Sequence, residues 1–397
     1  MMAQSAARRD LPLIVVCAGT SWSGVKGSDH HIATELTRYA TVLWVDPPVS
    51  FLTPVHRRQD VGIVPWPRLR PGIPGLVRLT PTAMPGHSRP GINATTGFLV
   101  RRQIRWALEK LGATATAVIA CSLDDVLTGW GPEVVRVLYG TDDYAAGAEL
   151  MGMSRRALLR SERRQLANAD VVVAISQVLV ERWSGMGARV HLIPNGVQTD
   201  AYGNLEAVSP ASDVSLPRPV AGLVGHLSAR IDMAVLEAIA DSDCSLLLVG
   251  PYSPAWEPER FAALIRKERV QWVGRRSFEE LPRYLRCMDV GLTPYADIAF
   301  NRASFPLKTL EYLAAGLPAV SSDLPATKWL ESDLVRIANG PEEFVRAVKE
   351  AAAGTSDARL IRRRREFAET HSWRRRADDL AAAMGLNPAV PTLREVN

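Results

Sequence analysis

Cysteine is scarce in this sequence, and the few cysteines present lie far apart. The chain of 397 residues has four of them and no Cys-x-x-Cys pair, so nothing suggests a disulfide framework. They are Cys17, Cys121, Cys244 and Cys287. We expect buried thiols in a reducing compartment.

Long hydrophobic runs are also missing, since none approaches the roughly 20 residues that span a bilayer. Arg8-Arg9 followed by Leu11–Ala18 looks like the start of a signal peptide. However, Val16, which precedes Cys17, is not the small residue that a lipid-attachment site requires. A first buried strand explains the run better. The sequence therefore favours a cytoplasmic protein, with peripheral contact at the inner membrane face left open.

A dinucleotide fingerprint is absent as well. The glycines of residues 19–27 do not make Gly-x-Gly-x-x-Gly, so a nicotinamide or flavin site is not predicted. The net charge of +5 fits an anionic ligand, an anionic acceptor or a membrane surface. It also fits nucleic acid, but we find no motif for it and expect no such partner.

Composition and pattern predict an α/β fold in two domains. Hydrophobic residues at 47% and charged residues at 22% are ordinary for a globular enzyme, and the length is large for a single core. Strands and helices alternate through both halves, which favours two Rossmann-like domains facing across a cleft. We predict an N-terminal domain, a linker rich in Ser, Pro and Asp, a C-terminal domain, and a last helix. Their bounds are 1–200, 201–218, 219–371 and 372–397.

Residues 54–90 are rich in proline, arginine and glycine. We interpret them as a long excursion rather than regular structure. The excursion is either a solvated loop or a contact with the acceptor or a membrane. Arginines flanking Trp66 suit anionic headgroups, and the ones singled out are Arg57, Arg58, Arg68 and Arg70.

The most informative stretch is residues 300–318, which predicts a loop, a short helix and a stop. Ser304 is expected to cap the helix, with Pro306 in its first turn, and Gly316 ends it. At 100° per residue, Ser304, Lys308 and Glu311 share one face, and the opposite face is apolar.

That face suits a nucleoside diphosphate. A helix N-terminus, here Ser304 to Leu307, is a natural seat for phosphate, and Lys308 adds a full charge. Glu311 can accept hydrogen bonds from a ribose. The plain alternative is an i, i+3 ion pair between Lys308 and Glu311 on a solvated face.

The pattern Pro-Leu-Lys-x-x-Glu-Tyr-Leu-Ala-x-Gly-x-Pro at residues 306–318 resembles the donor-site signature of GT-B-fold glycosyltransferases of the family-4-like group. The resemblance implies a metal-independent enzyme without a cofactor, which moves a sugar from a nucleoside-diphosphate sugar to an acceptor hydroxyl with retention of configuration. One departure is Ala303, where many of those enzymes carry a glutamate that contacts the donor sugar. Without it, the sugar is held by another group, the donor differs, or activity is lost.

The resemblance also implies that the N-terminal domain binds the acceptor, that the C-terminal domain binds the nucleotide sugar, and that the last helix returns to the N-terminal domain. It further assigns site residues along the chain. Gly225, Arg230, Arg275 and Phe305 join Ser304, Leu307, Lys308 and Glu311 at the donor. His226 stands where the family often has an arginine, so Arg230 supplies the missing charge. Lys308, Asp143 and His30 are the catalytic candidates, and Gly24, His31 and Asp142 are the acceptor contacts.

Each assignment outside the donor helix has a structural alternative. An aspartate after a strand frequently caps the helix that follows, which is the alternative for Asp142 and Asp143. A histidine at the start of a helix can likewise serve as a cap, which is the alternative for His30 and His31. The acceptor is a small molecule, a glycan or a lipid-linked sugar. Two other functions fit the fold, namely a sugar-nucleotide epimerase and a catalytically silent module that binds a sugar nucleotide.

Overall fold

The computed structural model describes residues 12–24, 26–50, 67–85 and 93–386. These divide into two compact units. The first comprises residues up to 175, residues 179–193 and those from 376 onward, and the second comprises residues 176–178 and 194–375. The domain bounds inferred from the sequence remain a prediction.

The first unit is built on an eight-stranded sheet in its described part, with the order β10-β9-β8-β7-β1-β2-β5-β4. Neighbouring strands are parallel except for β4, which runs antiparallel to β5. A short parallel pair joins β3 to β6. The strands are β1 Leu13–Cys17, β2 Thr41–Val45, β3 Val49–Ser50, β4 Arg68–Pro71, β5 Leu76–Thr80, β6 Thr82–Ala83, β7 Ala115–Ala120, β8 Val135–Gly140, β9 Val171–Ala174 and β10 Val190–Leu192.

Four helices connect these strands in the described residues. They are α1 Ser28–Leu36, α2 Asn93–Leu111, α3 Arg155–Asn168 and α4 Gln177–Ser184. Strands β1 and β7 are almost wholly buried because their side chains are apolar on both faces, as a parallel sheet covered by helices requires. Val15, Leu43 and Ile104 belong to the core of this unit.

The second unit contains a six-stranded, fully parallel sheet with the order β13-β12-β11-β14-β15-β16. Its strands are β11 Val220–Val224, β12 Ser245–Val249, β13 Val270–Trp272, β14 Val290–Thr293, β15 Ala319–Ser322 and β16 Val335–Ala338. Its helices are α5 Met233–Ala240, α6 Pro258–Leu264, α7 Leu281–Leu285, α8 Ala299–Ala303, α9 Leu307–Ala314, α10 Pro325–Trp329, α11 Gly340–Ala353 and α12 Ala358–Glu369. Three short 3₁₀ turns lie at Thr199–Ala201, Leu205–Ala207 and Phe278–Glu280.

A last helix, α13, covers Trp373–Ala383. From Arg376 onward it belongs to the first unit. Within that unit, Asp378 accepts hydrogen bonds from Arg38 and from the hydroxyl of Tyr39, on the segment that follows α1. Polar contacts therefore fasten the helix to the first unit.

The excursion predicted for residues 54–90 is wrong in its described part. Residues 68–71 and 76–80 form strands β4 and β5, and β5 extends the main sheet beside β2. Leu76 and Leu79 are buried, so this segment contributes to the core despite its prolines and arginines. Arg57, Arg58 and Trp66 lie outside the described residues.

Two further predictions concern burial and membrane spans. All four cysteines are free and buried, as expected. Among the described residues, no helix combines the length and the apolar character needed to cross a bilayer.

Candidate functional site

Helix α9 is fastened to the carboxyl ends of strands β11 and β14. The hydroxyl of Tyr312 donates to the carbonyl of Leu292 at 3.2 Å and accepts from the backbone N–H of Val224 at 2.9 Å. The ring lies directly against Gly291, where an added Cβ would stand 2.1 Å from Cγ of Tyr312. Only glycine permits this approach, which puts α9 at the sheet edge where parallel α/β units bind ligands.

Lys308 and Glu311 form an ion pair on this helix. Nζ of Lys308 lies 3.0 Å from Oε1 and 2.8 Å from Oε2 of Glu311. The i, i+3 pair considered as the plain alternative is thus present, but its face is not solvated. Glu311 is only 6% exposed, and Lys308 is half-buried. A buried carboxylate held by one flexible cation leaves both groups able to exchange partners when a ligand arrives.

Tyr202 is a neighbour of Glu311 that the sequence analysis missed. Its side chain is 1% exposed, and its hydroxyl has no hydrogen-bond partner among the described residues. Burial first, and the charge of Glu311 second, raise the pKa of this hydroxyl well above its usual range. A buried hydroxyl beside a carboxylate is an available donor, and no local signal in the sequence connects the two residues.

The predicted helix start is wrong in detail. Ser304 does not cap α9, because it ends the preceding helix α8 and its Oγ donates to the carbonyl of Phe300 at 2.8 Å. Pro306 is the N-cap residue instead of lying in the first turn. The N–H of Leu307 donates to the carbonyl of Phe305 at 2.9 Å, which engages one of the amides expected to meet phosphate. The side chain of Phe305 is buried against Trp329.

Arg230 is fixed by contacts with the segment before α9. Its Nε donates to Oδ1 of Asn301 at 2.9 Å, and its guanidinium lies 4.8 Å from the ring centre of Phe300 and 5.3 Å from that of Tyr295. Asn301 in turn donates to the backbone carbonyl of Arg230. This clamp holds a cation at the carboxyl ends of β11 and β14.

Gly225 and Arg230 line one pocket in the second unit, together with His226, Ser228, Thr293 and Tyr295. Gly225 has φ of +155°, and nothing stands within 4 Å of the place a Cβ would occupy. Lys308 and Glu311 are not part of this lining. The predicted Arg275 is exposed and lines a separate polar pocket with Arg276 and Tyr284. The donor candidates are therefore spread over neighbouring strand ends rather than one cavity.

In the first unit, Asp29 organises the glycine-rich loop, and the sequence analysis missed it. Its Oδ2 accepts from the backbone N–H groups of Gly19 at 3.0 Å and Thr20 at 3.1 Å, and from Oγ1 of Thr20 at 3.0 Å. The side chain is 3% exposed, and burial raises the pKa of its carboxyl despite these donors. The sequence feature that could have indicated this role is an aspartate in the first turn of a helix that follows a loop.

His30 and its neighbours form an aromatic cluster beside that loop. The ring of His30 stacks on Trp22 with centroids 4.0 Å apart, and Trp44 lies edge-on. Burial lowers the pKa of His30 to about 4, with smaller contributions from the charges of Lys26 and Arg78. The imidazole is therefore neutral at physiological pH, and its buried Nδ1 has no hydrogen-bond partner among the described residues.

The two acceptor candidates near His30 differ in exposure. His31 is 9% exposed and packs inward from α1. Gly24 lies in an exposed turn, where its N–H donates to the carbonyl of Ser21 at 2.8 Å. Their contact with an acceptor remains a prediction.

Asp46, at the end of β2, is a second buried carboxylate with many donors. It accepts from the N–H of Trp22 at 2.9 Å, from Nε1 of Trp44 at 2.8 Å and from Oγ1 of Thr80 at 2.8 Å. Arg78 adds an ion pair at 3.4 Å. A pocket lined by Asp46, Asp124 and other residues opens at the carboxyl ends of β1, β2 and β7.

Asp143 is 5% exposed, and its carboxylate has both a hydrogen-bond donor and an ion-pair partner within the first unit. Its Oδ1 accepts from the N–H of Ala146 at 2.9 Å and lies 3.2 Å from Nη1 of Arg182. Arg182 also pairs with Glu162. Asp143 thus caps a turn rather than the helix considered as the alternative, and its catalytic role remains a prediction. Asp142 is half-buried beside it.

Metal-ligating side chains do not converge in the described ranges. No three His, Cys, Asp or Glu side chains there come together as an ion site would require.

Comparisons with known proteins include one that covers part of the second unit and others that cover almost the whole chain. Residues 219–353 match the family model described as "Glycosyl transferases group 1". The sucrose-phosphate synthase of Thermosynechococcus elongatus superposes with a TM-score of 0.69 at 17% identity, covering 94% of this chain and 98% of that one. HepE of Anabaena, solved with UDP and glucose, gives 0.63 at 14% identity over 94% and 99%. The fold is GT-B.

A curated relative adds sequence similarity over part of the chain. TuaH of Bacillus subtilis, named as a teichuronic acid biosynthesis glycosyltransferase, is 29% identical over 257 residues. The match covers 60% of this chain and 64% of TuaH, so the chain spans just under two thirds of that relative's length. WaaG, a glycosyltransferase involved in lipopolysaccharide biosynthesis, superposes with a TM-score of 0.63 at 14% identity over 95% of this chain and 100% of that one.

Proposed function

We propose that this protein is a glycosyltransferase of the family-4-like group, which moves a sugar from a nucleoside-diphosphate sugar to an acceptor hydroxyl. The observation that carries the proposal is the half-buried Lys308–Glu311 pair on α9, held at the strand ends by Tyr312. It lies inside the segment that matches group 1 glycosyltransferases. Because HepE was solved with UDP, UDP-sugars are the first donors to test.

The proposed chemistry stabilises the leaving group. Breaking the bond between the sugar and the diphosphate leaves negative charge on the diphosphate. The acceptor oxygen bonds to the sugar carbon, and the proton of the acceptor hydroxyl passes to an oxygen of the leaving diphosphate. Nζ of Lys308 would leave Glu311 to meet that charge, and Arg230 would add a second cation. Glu311, released from Lys308, would bind the ribose hydroxyls, with the Tyr202 hydroxyl available to donate to it.

We further propose that the reaction needs no metal and retains configuration. Asp143 would accept the acceptor proton only in an inverting reaction. Its contacts with Ala146 and Arg182 already engage it, which makes Asp143 a poor candidate for that base. The acceptor is a small molecule, a glycan or a lipid-linked sugar. We place the protein in the cytoplasm, in peripheral contact with the membrane, in keeping with its four free buried cysteines.

The experiment is nucleotide release from a panel of nucleoside-diphosphate sugars, with and without acceptors and with and without a chelator. Release that depends on an acceptor and survives the chelator supports the proposal. Loss of release on chelation would contradict metal independence. An anomeric assignment of the product tests retention.

A silent binding module is the second candidate, and Ala303 favours it. This residue stands where related enzymes carry a glutamate and is only 1% exposed. UDP binding by calorimetry without turnover on any acceptor would select the module. Acceptor-dependent turnover would reject it.

A further inference from the structure

The first unit exposes three large apolar side chains within four residues. Leu150, Met151 and Met153 are 46%, 40% and 50% exposed, on the turn that leads into α3. Single exposed apolar side chains are normal, but a contiguous exposed group marks an interaction site. We call residues 149–164 the Met–Arg patch.

Helix α3 adds positive charge to this patch. It buries Leu158, Glu162 and Gln165, and the opposite face points outward. At 100° per residue, four of its five arginines fall on that outward side; the exception is Arg155 in the first turn, which falls near the direction of Glu162. All five are exposed. They are Arg155, Arg156, Arg160, Arg163 and Arg164.

Little negative charge offsets these arginines. Glu162 is turned inward, where it accepts from Nε1 of Trp183 at 2.8 Å and pairs with Arg182. Arg164 lies 3.9 Å from Asp125, and the other four form no ion pair with any described residue. Glu149 is the one exposed acid between residues 149 and 164.

Exposed methionines beside exposed arginines fit a bilayer better than a nucleic acid, because apolar side chains gain nothing from phosphates in water. We propose that the Met–Arg patch docks this protein onto an anionic lipid bilayer. Leu150, Met151 and Met153 enter the boundary of the acyl chains, and the arginines lie at the headgroups. This rests on the peripheral membrane contact of the proposed function and names the surface that would make it.

The patch is a different surface from the excursion singled out in the sequence. Within the described part of that excursion, Arg78 is engaged by Asp46 at 3.4 Å and stands over the ring of Trp22. An arginine committed to such partners is not available to headgroups. The arginines of α3 remain available.

The first experiment is co-sedimentation of the full chain with vesicles of phosphatidylcholine alone or mixed with phosphatidylglycerol, at low and high salt. Each cation near such a surface strengthens attachment about fivefold, so Arg156→Ser, Arg160→Ser and Arg163→Ser together should weaken it roughly a hundredfold. A control with equal loss of charge replaces exposed arginines of the second unit, and it should bind like the wild type. The control positions are Arg346, Arg359 and Arg362.

The second experiment tests the apolar part. Met151→Ser with Met153→Ser should remove the binding that survives high salt, whereas Met186→Ser, at a methionine that is 41% exposed outside the patch, should not. All variants change exposed side chains, so their unfolding midpoints should match the wild type.

Three results would overturn the proposal. They are equal vesicle binding by the triple variant and its control, absence of binding to anionic vesicles, and binding to a single-stranded oligonucleotide without binding to vesicles. Nucleotide release with a soluble acceptor should be unchanged in every patch variant. Failure of docking is thereby distinguished from failure of the proposed transfer activity.

Discussion

Asp29 and Asp46 of the first unit and Glu311 of the second are all buried carboxylates, but they differ in how rigidly their donors hold them. In the first unit, Asp29 and Asp46 each accept several hydrogen bonds from fixed backbone and side-chain donors. In the second unit, Glu311 is bound by the flexible side chain of Lys308, beside the unpaired hydroxyl of Tyr202. A carboxylate with several rigid donors fixes a loop, whereas one with a flexible partner is available to a ligand.

The same comparison places Asp143 with the structural group. Its backbone donor Ala146 and its cation Arg182 both lie within the first unit. Position does not separate Asp143 from Asp29 and Asp46, because all three follow strands or begin helices. What separates Asp143 from Glu311 is the kind of donor, since a fixed backbone N–H holds Asp143 and a flexible lysine holds Glu311.

The largest effect is expected at Lys308. If this cation leaves Glu311 to neutralise the departing diphosphate, Lys308→Ala should lower kcat by roughly a hundredfold or more, by analogy with losing one oxyanion donor. The substitution also leaves the buried carboxylate of Glu311 without its ion-pair partner, so the unfolding midpoint should fall too, and kcat is compared under conditions where the variant is folded. Lys308→Arg, which keeps the charge, should recover part of the rate. Near-normal turnover in a folded alanine variant would contradict the assignment.

Asp29 should affect stability rather than donor chemistry. Asp29→Ala leaves the partly buried N–H groups of Gly19 and Thr20 without their acceptor, so the free energy of unfolding should fall by about 1–2 kcal/mol. Urea unfolding measures it. A change below about 0.5 kcal/mol would show that the loop does not depend on this carboxylate.

Glu311→Gln is the matched substitution in the second unit. It keeps the size of the side chain and removes the charge, so donor binding should weaken about tenfold, the loss of one charged hydrogen bond. Nucleotide affinity by calorimetry is the measurement, with urea unfolding as the control. Unchanged affinity would leave Glu311 as an ion-pair partner of Lys308 and nothing more.

The second unit shows what a sequence predicts well. Strands Val220–Val224 and Ser245–Val249 and helix Ala358–Glu369 are elements of the kind that a local pattern identifies. Each strand is an apolar run buried on both faces, and the helix is strongly amphipathic, so local pattern and tertiary burial agree. The alternation that predicted two Rossmann-like folds was likewise sufficient.

The failures come from partners that are distant in the sequence. Strand β5 was missed because Arg78 interrupts its apolar pattern, and its charge is satisfied by Asp46 on another strand. Ser304 was expected to cap the N-terminus of α9, but its hydroxyl donates to the backbone carbonyl of Phe300 in the preceding helix. Tyr202 approaches Glu311 only in the folded chain. Such pairings leave no local trace, so neither the strand nor the neighbouring hydroxyl was predictable.

The smallest effect concerns His30 and the pH dependence of stability. Its pKa is lowered to about 4 in the folded protein, by burial and then by Lys26 and Arg78, against 6.5 in the unfolded chain. Between these values the unfolded chain binds a proton that the folded chain does not, so stability falls as pH drops from about 6.5 toward 4 and is constant above this window.

His30→Asn removes the side chain that binds this proton. The free energy of unfolding should therefore decline less steeply between pH 6.5 and 4 in the variant than in the wild type. Asp29, whose pKa is raised, titrates in both proteins and so does not affect the difference in the first approximation. Urea unfolding at several pH values gives the two slopes. Equal slopes would mean that the ring of His30 accepts a proton in the folded protein as readily as in the unfolded one. The interpretation of His30 as a buried, neutral imidazole stacked on Trp22 would then be wrong.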